Sequence, residues 1–110
     1  MNLDEYQEKA KKTDLHTKVE ANELDYYLLG LTSEAGEVAG RMKRVYRDQK
    51  GKVNLVEKEK IKKDLGDVLW YLSAICDRFD FSLQEVAELN LKKLSNRLEN
   101  NTLHGEDPDR

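Results

Sequence analysis

The sequence lacks the features required for internal disulfide bonds, membrane spans and signal peptides. It contains a single cysteine, so it cannot form an internal disulfide, and a single proline. Its longest nearly unbroken apolar run, from Val68 to Cys76, is far shorter than the roughly 18 residues of a membrane span. The opening segment MNLDEYQEKA is acidic and lacks the cationic and apolar regions of a signal peptide. These absences exclude a transmembrane protein and predict a cytoplasmic protein that binds no membrane.

An excess of positive charge is also missing. The 19 lysines and arginines are interleaved with 22 acidic residues, which gives a formal net charge of -3. Proteins that bind duplex nucleic acid usually present a basic patch, so we expect no duplex nucleic acid as partner. A small anionic ligand could still bind if a metal cation mediates the contact. Mean hydropathy is low, at -0.83, but the apolar residues recur at helical spacing, which predicts a folded chain.

Four segments carry apolar residues three and four positions apart, as expected for amphipathic helices. Polar stretches separate them, the most turn-like being Asp48 to Val53, and Ser82 with Glu85 forms a capping-box pair before the last segment. No strand pattern or internal repeat is present. We therefore predict one all-α domain over residues 1–100, a four-helix bundle of short and long antiparallel helices, followed by a mobile polar tail at 101–110. The predicted helices span residues 3–12, 20–46, 57–79 and 83–100.

A chain of 110 residues is short for covering two long amphipathic helices, so we expect oligomerisation to complete the bundle. The second segment also contains Gly30, Gly36 and Gly40. Each glycine in a helix interior costs about 1 kcal/mol relative to alanine. These glycines indicate close approach of another backbone, a ligand or a kink, unless strong packing simply tolerates them.

Two acid pairs occupy matching positions on the long helices. Glu34 and Glu37 are three residues apart and share a helix face, and Asp64 and Asp67 repeat this spacing on the next helix. Both pairs border the apolar stripe, so antiparallel packing could bring the four carboxylates together. Their repulsion and lost hydration favour a bound divalent cation, and their hard oxygens favour Mg²⁺ or Mn²⁺ over zinc. The alternative is that each pair is a solvated helix face.

The last helix offers cations and an amide on one stripe, namely Asn90, Lys93 and Arg97. They could face the acid cluster and meet the oxygens of a metal-bound polyphosphate, or they could form ordinary ion pairs. After the second acid pair, Trp70 and Tyr71 are either packing residues or a base-stacking platform. Cys76 lies on the apolar stripe and is predicted to be a core residue, while His16 and His104 fall in the loop and the tail. No P-loop or G-x-S-x-G motif is present.

The segments LTSEAGEV, from Leu31, and DLGDVLWYL, from Asp64, resemble the two metal-binding motifs of the MazG-like family of all-α nucleoside triphosphate pyrophosphohydrolases. The family pattern is Glu-x-x-Glu on one helix and Glu-x-x-Asp on the next. The resemblance therefore implies that Glu34, Glu37, Asp64 and Asp67 are metal ligands and that Glu34 or Glu37 is the catalytic base. Asp64 stands where the family usually has glutamate, which shortens its reach by one methylene.

The resemblance also implies hydrolysis of a nucleoside or deoxynucleoside triphosphate between its α and β phosphates, with Mg²⁺ as cofactor and a role in nucleotide-pool house-cleaning. Family members are typically homodimers or homotetramers. The predicted substrate-binding residues are Asn90, Lys93, Arg97 and Tyr71. Two alternatives stay open, a non-catalytic helical interaction module and a phosphohydrolase of another pyrophosphate-containing nucleotide.

Overall fold

The computed structural model describes residues 1–15 and 23–100. They form four helices and no strand within the described ranges, as predicted: α1 (Leu3–Lys11), α2 (Glu23–Gln49), α3 (Leu55–Arg78) and α4 (Leu83–Glu99). One boundary was wrong, because Asp48 and Gln49 belong to α2 and not to the connection that follows it. The predicted tail, both histidines and most of the first loop lie outside the described residues.

Side chains at the helix starts explain where three of the helices begin. The side-chain oxygens of Asn2, Asn54 and Ser82 accept hydrogen bonds from the backbone N–H three residues later, at 2.9, 2.8 and 3.2 Å respectively. The cap predicted at Ser82 is therefore confirmed. At the other end of α2, Lys50 and Gly51 adopt left-handed φ values of 54° and 78°, which terminates the helix.

The two long helices, α2 and α3, form an antiparallel pair. Glu23 lies beside Arg78 at 2.8 Å, Gly30 lies against Tyr71, and Arg41 lies beside Asp64. Early residues of α2 thus face late residues of α3. The short helix α1 packs against α3 and α4, and α4 packs against α1 and α3; among the described residues α4 has no contact with α2.

The buried core is small and concentrated around α3. It includes Tyr27, which is fully buried and whose hydroxyl donates to Asp14 and accepts from Arg78 Nη2 at 3.3 Å. Cys76 is buried as predicted, and burial raises the pKa of its thiol. The other buried apolar residues are Ala10, Val45, Ala74 and Leu83.

Many large apolar side chains remain on the surface. Leu28 is 43% exposed on α2, Leu65 is 53% exposed on α3, and Leu89 and Leu98 are 67% and 69% exposed on α4. Large exposed apolar side chains are typical of contact faces where they form a contiguous patch. The expected oligomer remains a prediction. None of the described helices combines the length and the apolar character needed to cross a membrane.

Candidate active site

The antiparallel arrangement of α2 and α3 brings the two predicted acid pairs together. Glu34 and Glu37 lie on α2 between the residues that contact Tyr71 and Asp64, so they come opposite the stretch of α3 that carries Asp64 and Asp67. The pKa of Glu34 is raised by burial and then by the negative charges of Glu37, Asp67 and Asp64. The four carboxylates therefore form one cluster of repelling charges, which we call the acid cluster.

The members of the acid cluster differ in burial. Asp64 is only 6% exposed, Glu34 is half-buried, and Glu37 and Asp67 are exposed. Burial of a carboxylate requires compensation, because a charge that leaves water loses its hydration. For Asp64 the compensation comes from another side chain on α2.

That side chain is Arg41, which the sequence analysis missed. Its Nε donates to Asp64 Oδ2 at 2.8 Å, and its Nη1 lies 3.7 Å from Glu57 Oε2. Arg41 follows Glu37 by four residues, so the two share one face of α2. This spacing was the available signal, but it could not show which carboxylate across the helix pair the guanidinium reaches.

The acid cluster fits a divalent cation in donor type and charge. All four donors are hard carboxylate oxygens, and burial together with the charges of the other three carboxylates raises the pKa of Glu34. In the orientations shown, no three acidic, histidine or cysteine side chains among the described residues are arranged to hold a metal ion. Cation binding therefore requires side-chain rotation at positions that the helices have already brought close.

Tyr71 borders the acid cluster one turn beyond Asp67. Its ring lies across α2 at Gly30, where a built Cβ atom would come within 2.1 Å of Tyr71 Cε1. The pKa of Tyr71 is raised by burial, then by Tyr26 and by the charges of Glu34 and Asp67. Of the three glycines that the sequence singled out, Gly30 thus accommodates the close approach of a side chain, and it sets the ring beside the carboxylates.

Trp70 serves in packing, one of the two interpretations left open. Its indole Nε1 donates to Thr13 Oγ1 at 2.8 Å, and its ring centroid lies 6.3 Å from that of Tyr27 and 5.1 Å from that of Tyr71. On α1, Tyr6 is a further neighbour of the acid cluster, because burial and the charge of Asp67 raise its pKa.

Within a single chain, α4 does not bring its predicted substrate-binding residues to α2. Asn90 and Lys93 are exposed and Arg97 is half-buried, and α4 does not pack against α2 in the part of the chain that the structure describes. Their role in substrate binding stays a prediction.

An open groove runs along α2 beside the acid cluster. It has a volume of about 340 Å³ and is lined by Ser33, Gly36, Glu37, Gly40, Arg41 and Arg44. Among the described residues, nothing lies within 4 Å of a Cβ built at Gly36, and at Gly40 only Arg44 Nη1 does, at 3.6 Å. These two glycines therefore leave this face of α2 without side chains that would fill the groove. Glu37 belongs to both the groove and the acid cluster, and Arg41 joins them because it lines the groove and pairs with Asp64.

Comparison with known proteins agrees with this arrangement. A family model described as the MazG nucleotide pyrophosphohydrolase domain matches residues 22–102, which include both acid pairs. The chain belongs to the MazG family. It is also 34% identical over 82 residues to the Gene 37 protein of Mycobacterium phage L5, a match that covers 74% of this chain and 72% of that protein. No solved structure matches the chain significantly.

Membership of the MazG family confirms the resemblance seen in the two motifs and the all-α fold. The matched residues contain α2, α3 and α4 but not α1. Tyr6, the α1 residue near Asp67, thus lies outside the region that the family model matches. The name of the phage relative states no activity.

Proposed function

We propose that this chain hydrolyses nucleoside or deoxynucleoside triphosphates between the α and β phosphates, giving the monophosphate and pyrophosphate. The observation that carries the proposal is the acid cluster in a MazG-family chain: carboxylates from two helices lie close enough that burial, and then the charges of Glu37, Asp67 and Asp64, raise the pKa of Glu34. We propose Mg²⁺ as the cofactor, with Mn²⁺ as a substitute, because these ions prefer carboxylate oxygens.

The ligands of the cation would come from Glu34, Glu37 and Asp67, with Asp64 as a fourth carboxylate that would bind directly or through a bridging water. Bound Mg²⁺ would neutralise phosphate charge and lower the pKa of water. Glu34 or Glu37 accepts a proton from the attacking water. The water oxygen bonds to one phosphorus of the α–β bridge while the bond from that phosphorus to the bridging oxygen breaks, and the bridging oxygen leaves with the electron pair. No covalent intermediate with the protein is needed.

Substrate contacts would come from the surroundings of the acid cluster. Tyr71 presents its ring beside Glu34 and Asp67, where it would contact the nucleoside. Lys93 and Arg97 would bind phosphate oxygens, with Asn90 as a further hydrogen-bonding group. Since α4 does not contact α2 in one chain, we propose that a second copy brings these residues to the acid cluster in a homodimer or homotetramer. The exposed leucines of α2 and α4 would line that contact.

The proposal is tested by incubating the protein with a panel of canonical and modified nucleotides plus Mg²⁺ and identifying the products. Pyrophosphate and a monophosphate should appear, and Glu37→Gln should reduce their formation by about a hundredfold or more, because it removes one negative charge from the site. Glu59→Gln is the matched control, since Glu59 is an exposed residue of α3 that pairs with Lys62 at 2.9 Å.

Other outcomes would decide between the alternatives. Absence of magnesium-dependent pyrophosphate release from every nucleotide would favour the interaction module. Release of other products would favour a phosphohydrolase of a different pyrophosphate-containing nucleotide. Full activity in Glu37→Gln would contradict the proposed role of the acid cluster in the reaction.

A further inference from the structure

Within the acid cluster, Asp64 differs from the other three carboxylates because it is buried and its negative charge is paired with the positive charge of Arg41. Of the described residues, Asp64 is the one charged residue that is buried, with a side chain only 9% exposed. The Nε–Oδ2 distance of 2.8 Å is that of a charge-assisted hydrogen bond. Arg41 stays charged at any physiological pH, so this compensation is permanent.

The second carboxylate near Arg41 binds it more weakly. Glu57 Oε2 lies 3.7 Å from Arg41 Nη1, beyond hydrogen-bond distance, and this buried oxygen has no hydrogen-bond partner among the described residues. Arg41 is thus held mainly by Asp64. The hydrogen bond occupies Asp64 Oδ2, so a cation that took this oxygen as a ligand would have to displace the guanidinium.

We propose that Arg41 is a positioning residue that keeps Asp64 from coordinating the cation directly. The cation is then held by Glu34, Glu37 and Asp67, while Asp64 anchors the guanidinium at the edge of the site. This inference rests on the proposed function, because it concerns the same cation site. It assigns three of the four carboxylates as ligands and Asp64 as the anchor of Arg41. The spacing of the two motifs alone does not distinguish these roles.

The experiment measures Mn²⁺ binding to the full chain without nucleotide, using the electron paramagnetic resonance signal of free Mn²⁺. Arg41→Met should bind Mn²⁺ about tenfold more tightly than Arg44→Met, equivalent to about 1.4 kcal/mol. Arg44 is a matched control because it lines the same groove and its removal changes net charge equally. The comparison therefore isolates the release of Asp64 from a general change in charge.

The double variant Arg41→Met/Asp64→Asn provides the second test. It removes the buried pair as a unit, which leaves no unpaired charge and protects the fold if Arg41→Met alone is unstable. Its Mn²⁺ affinity should stay within about threefold of the wild-type value, because net charge is unchanged and no direct ligand is lost. Circular dichroism melts verify that each variant is folded.

Two results would overturn the inference: Arg41→Met binding Mn²⁺ no more tightly than Arg44→Met, or a loss of tenfold or more in the double variant. Glu34→Gln and Asp67→Asn separate this failure from that of the proposed function. If they weaken Mn²⁺ binding while the Arg41 results fail, only the division of roles is wrong. If they leave Mn²⁺ binding unchanged, or if the wild-type chain binds no Mn²⁺, the cation site and this inference fail together.

Discussion

Substituting Gly30 by alanine probes the contact that positions Tyr71 beside the acid cluster. A Cβ built at Gly30 lies 2.1 Å from Tyr71 Cε1, 2.4 Å from Cζ and 2.6 Å from Cδ1. Carbon atoms in good contact are about 3.5 to 4.0 Å apart, so either the ring must move by more than an ångström or the helices must separate. Gly36 is the matched control, because a Cβ there meets nothing within 4 Å among the described residues.

The expected magnitude follows from two opposing effects. Overpacking typically costs about 1 to 3 kcal/mol, whereas replacing glycine by alanine in a helix interior gains up to about 1 kcal/mol. Gly36→Ala should show only the gain, and Gly30→Ala should show both. The difference between the two variants in free energy of unfolding should therefore equal the overpacking cost of about 1 to 3 kcal/mol, with Gly30→Ala the less stable.

Thermal unfolding at one fixed protein concentration measures this difference, because assembly makes the melting temperature depend on concentration. Each kcal/mol should separate the two melting temperatures by about 4 to 8 °C. In Gly30→Ala the displaced ring should also raise the KM for the nucleotide substrate. The variant Gly30→Ala/Tyr71→Ala should show a favourable coupling, because the smaller side chain removes the overlap. Equal stability of Gly30→Ala and Gly36→Ala would refute the steric argument.

Four further variants test charge and assembly. Glu34→Gln should raise the melting temperature of the metal-free protein at pH 7, because the raised pKa of Glu34 means that its ionisation destabilises the fold. This gain should shrink as the pH falls through the raised pKa of Glu34 and be absent below the ordinary carboxyl pKa of 4.5, where the wild-type side chain is protonated. Lys93→Ala and Arg97→Ala should raise the KM while leaving Mn²⁺ affinity intact, and unchanged kinetics in both would remove them from the site. Leu28→Asp, at a side chain 43% exposed, should reduce the oligomer mass in sedimentation, and an unaltered mass would place the contact elsewhere.

The spacing of residues along the sequence predicted most of the features that depend on one helix alone. The recurrence of apolar residues located all four helices, and the two Glu-x-x-Glu-like pairs located the acid cluster, because residues three apart share a face whatever the rest of the chain does. The cap at Ser82 was equally local. Helix ends were less accurate, since the left-handed residues Lys50 and Gly51 end α2 later than the run of polar residues suggested.

Contacts between helices could not be predicted in the same way. Spacing places Arg41 on the face of Glu37, but the register of α2 against α3 decides that it reaches Asp64. The same register makes Gly30 meet an aromatic ring and leaves Gly36 open, although the two glycines are equivalent as sequence. On α4 most of the predicted apolar stripe stays exposed within one chain, with Leu91 at 67% and Leu98 at 69%, so the stripe alone did not predict which helices α4 packs against.

The location of the acid cluster links the stability of the helix pair to its chemistry. The buried residues of α2, Tyr27 and Val45, lie near its two ends, and the stretch between them that faces α3 carries Glu34, Glu37 and Arg41. Buried side chains therefore stabilise the two ends of the α2–α3 pair, whereas carboxylates that repel each other lie in its middle. A cation bound there would stabilise the folded chain by about 2.7 kcal/mol at a concentration one hundred times its dissociation constant. Since a cation bound to these carboxylates would both activate water and bridge the two helices, Mg²⁺ or Mn²⁺ should raise the melting temperature over the same concentration range in which it supports turnover.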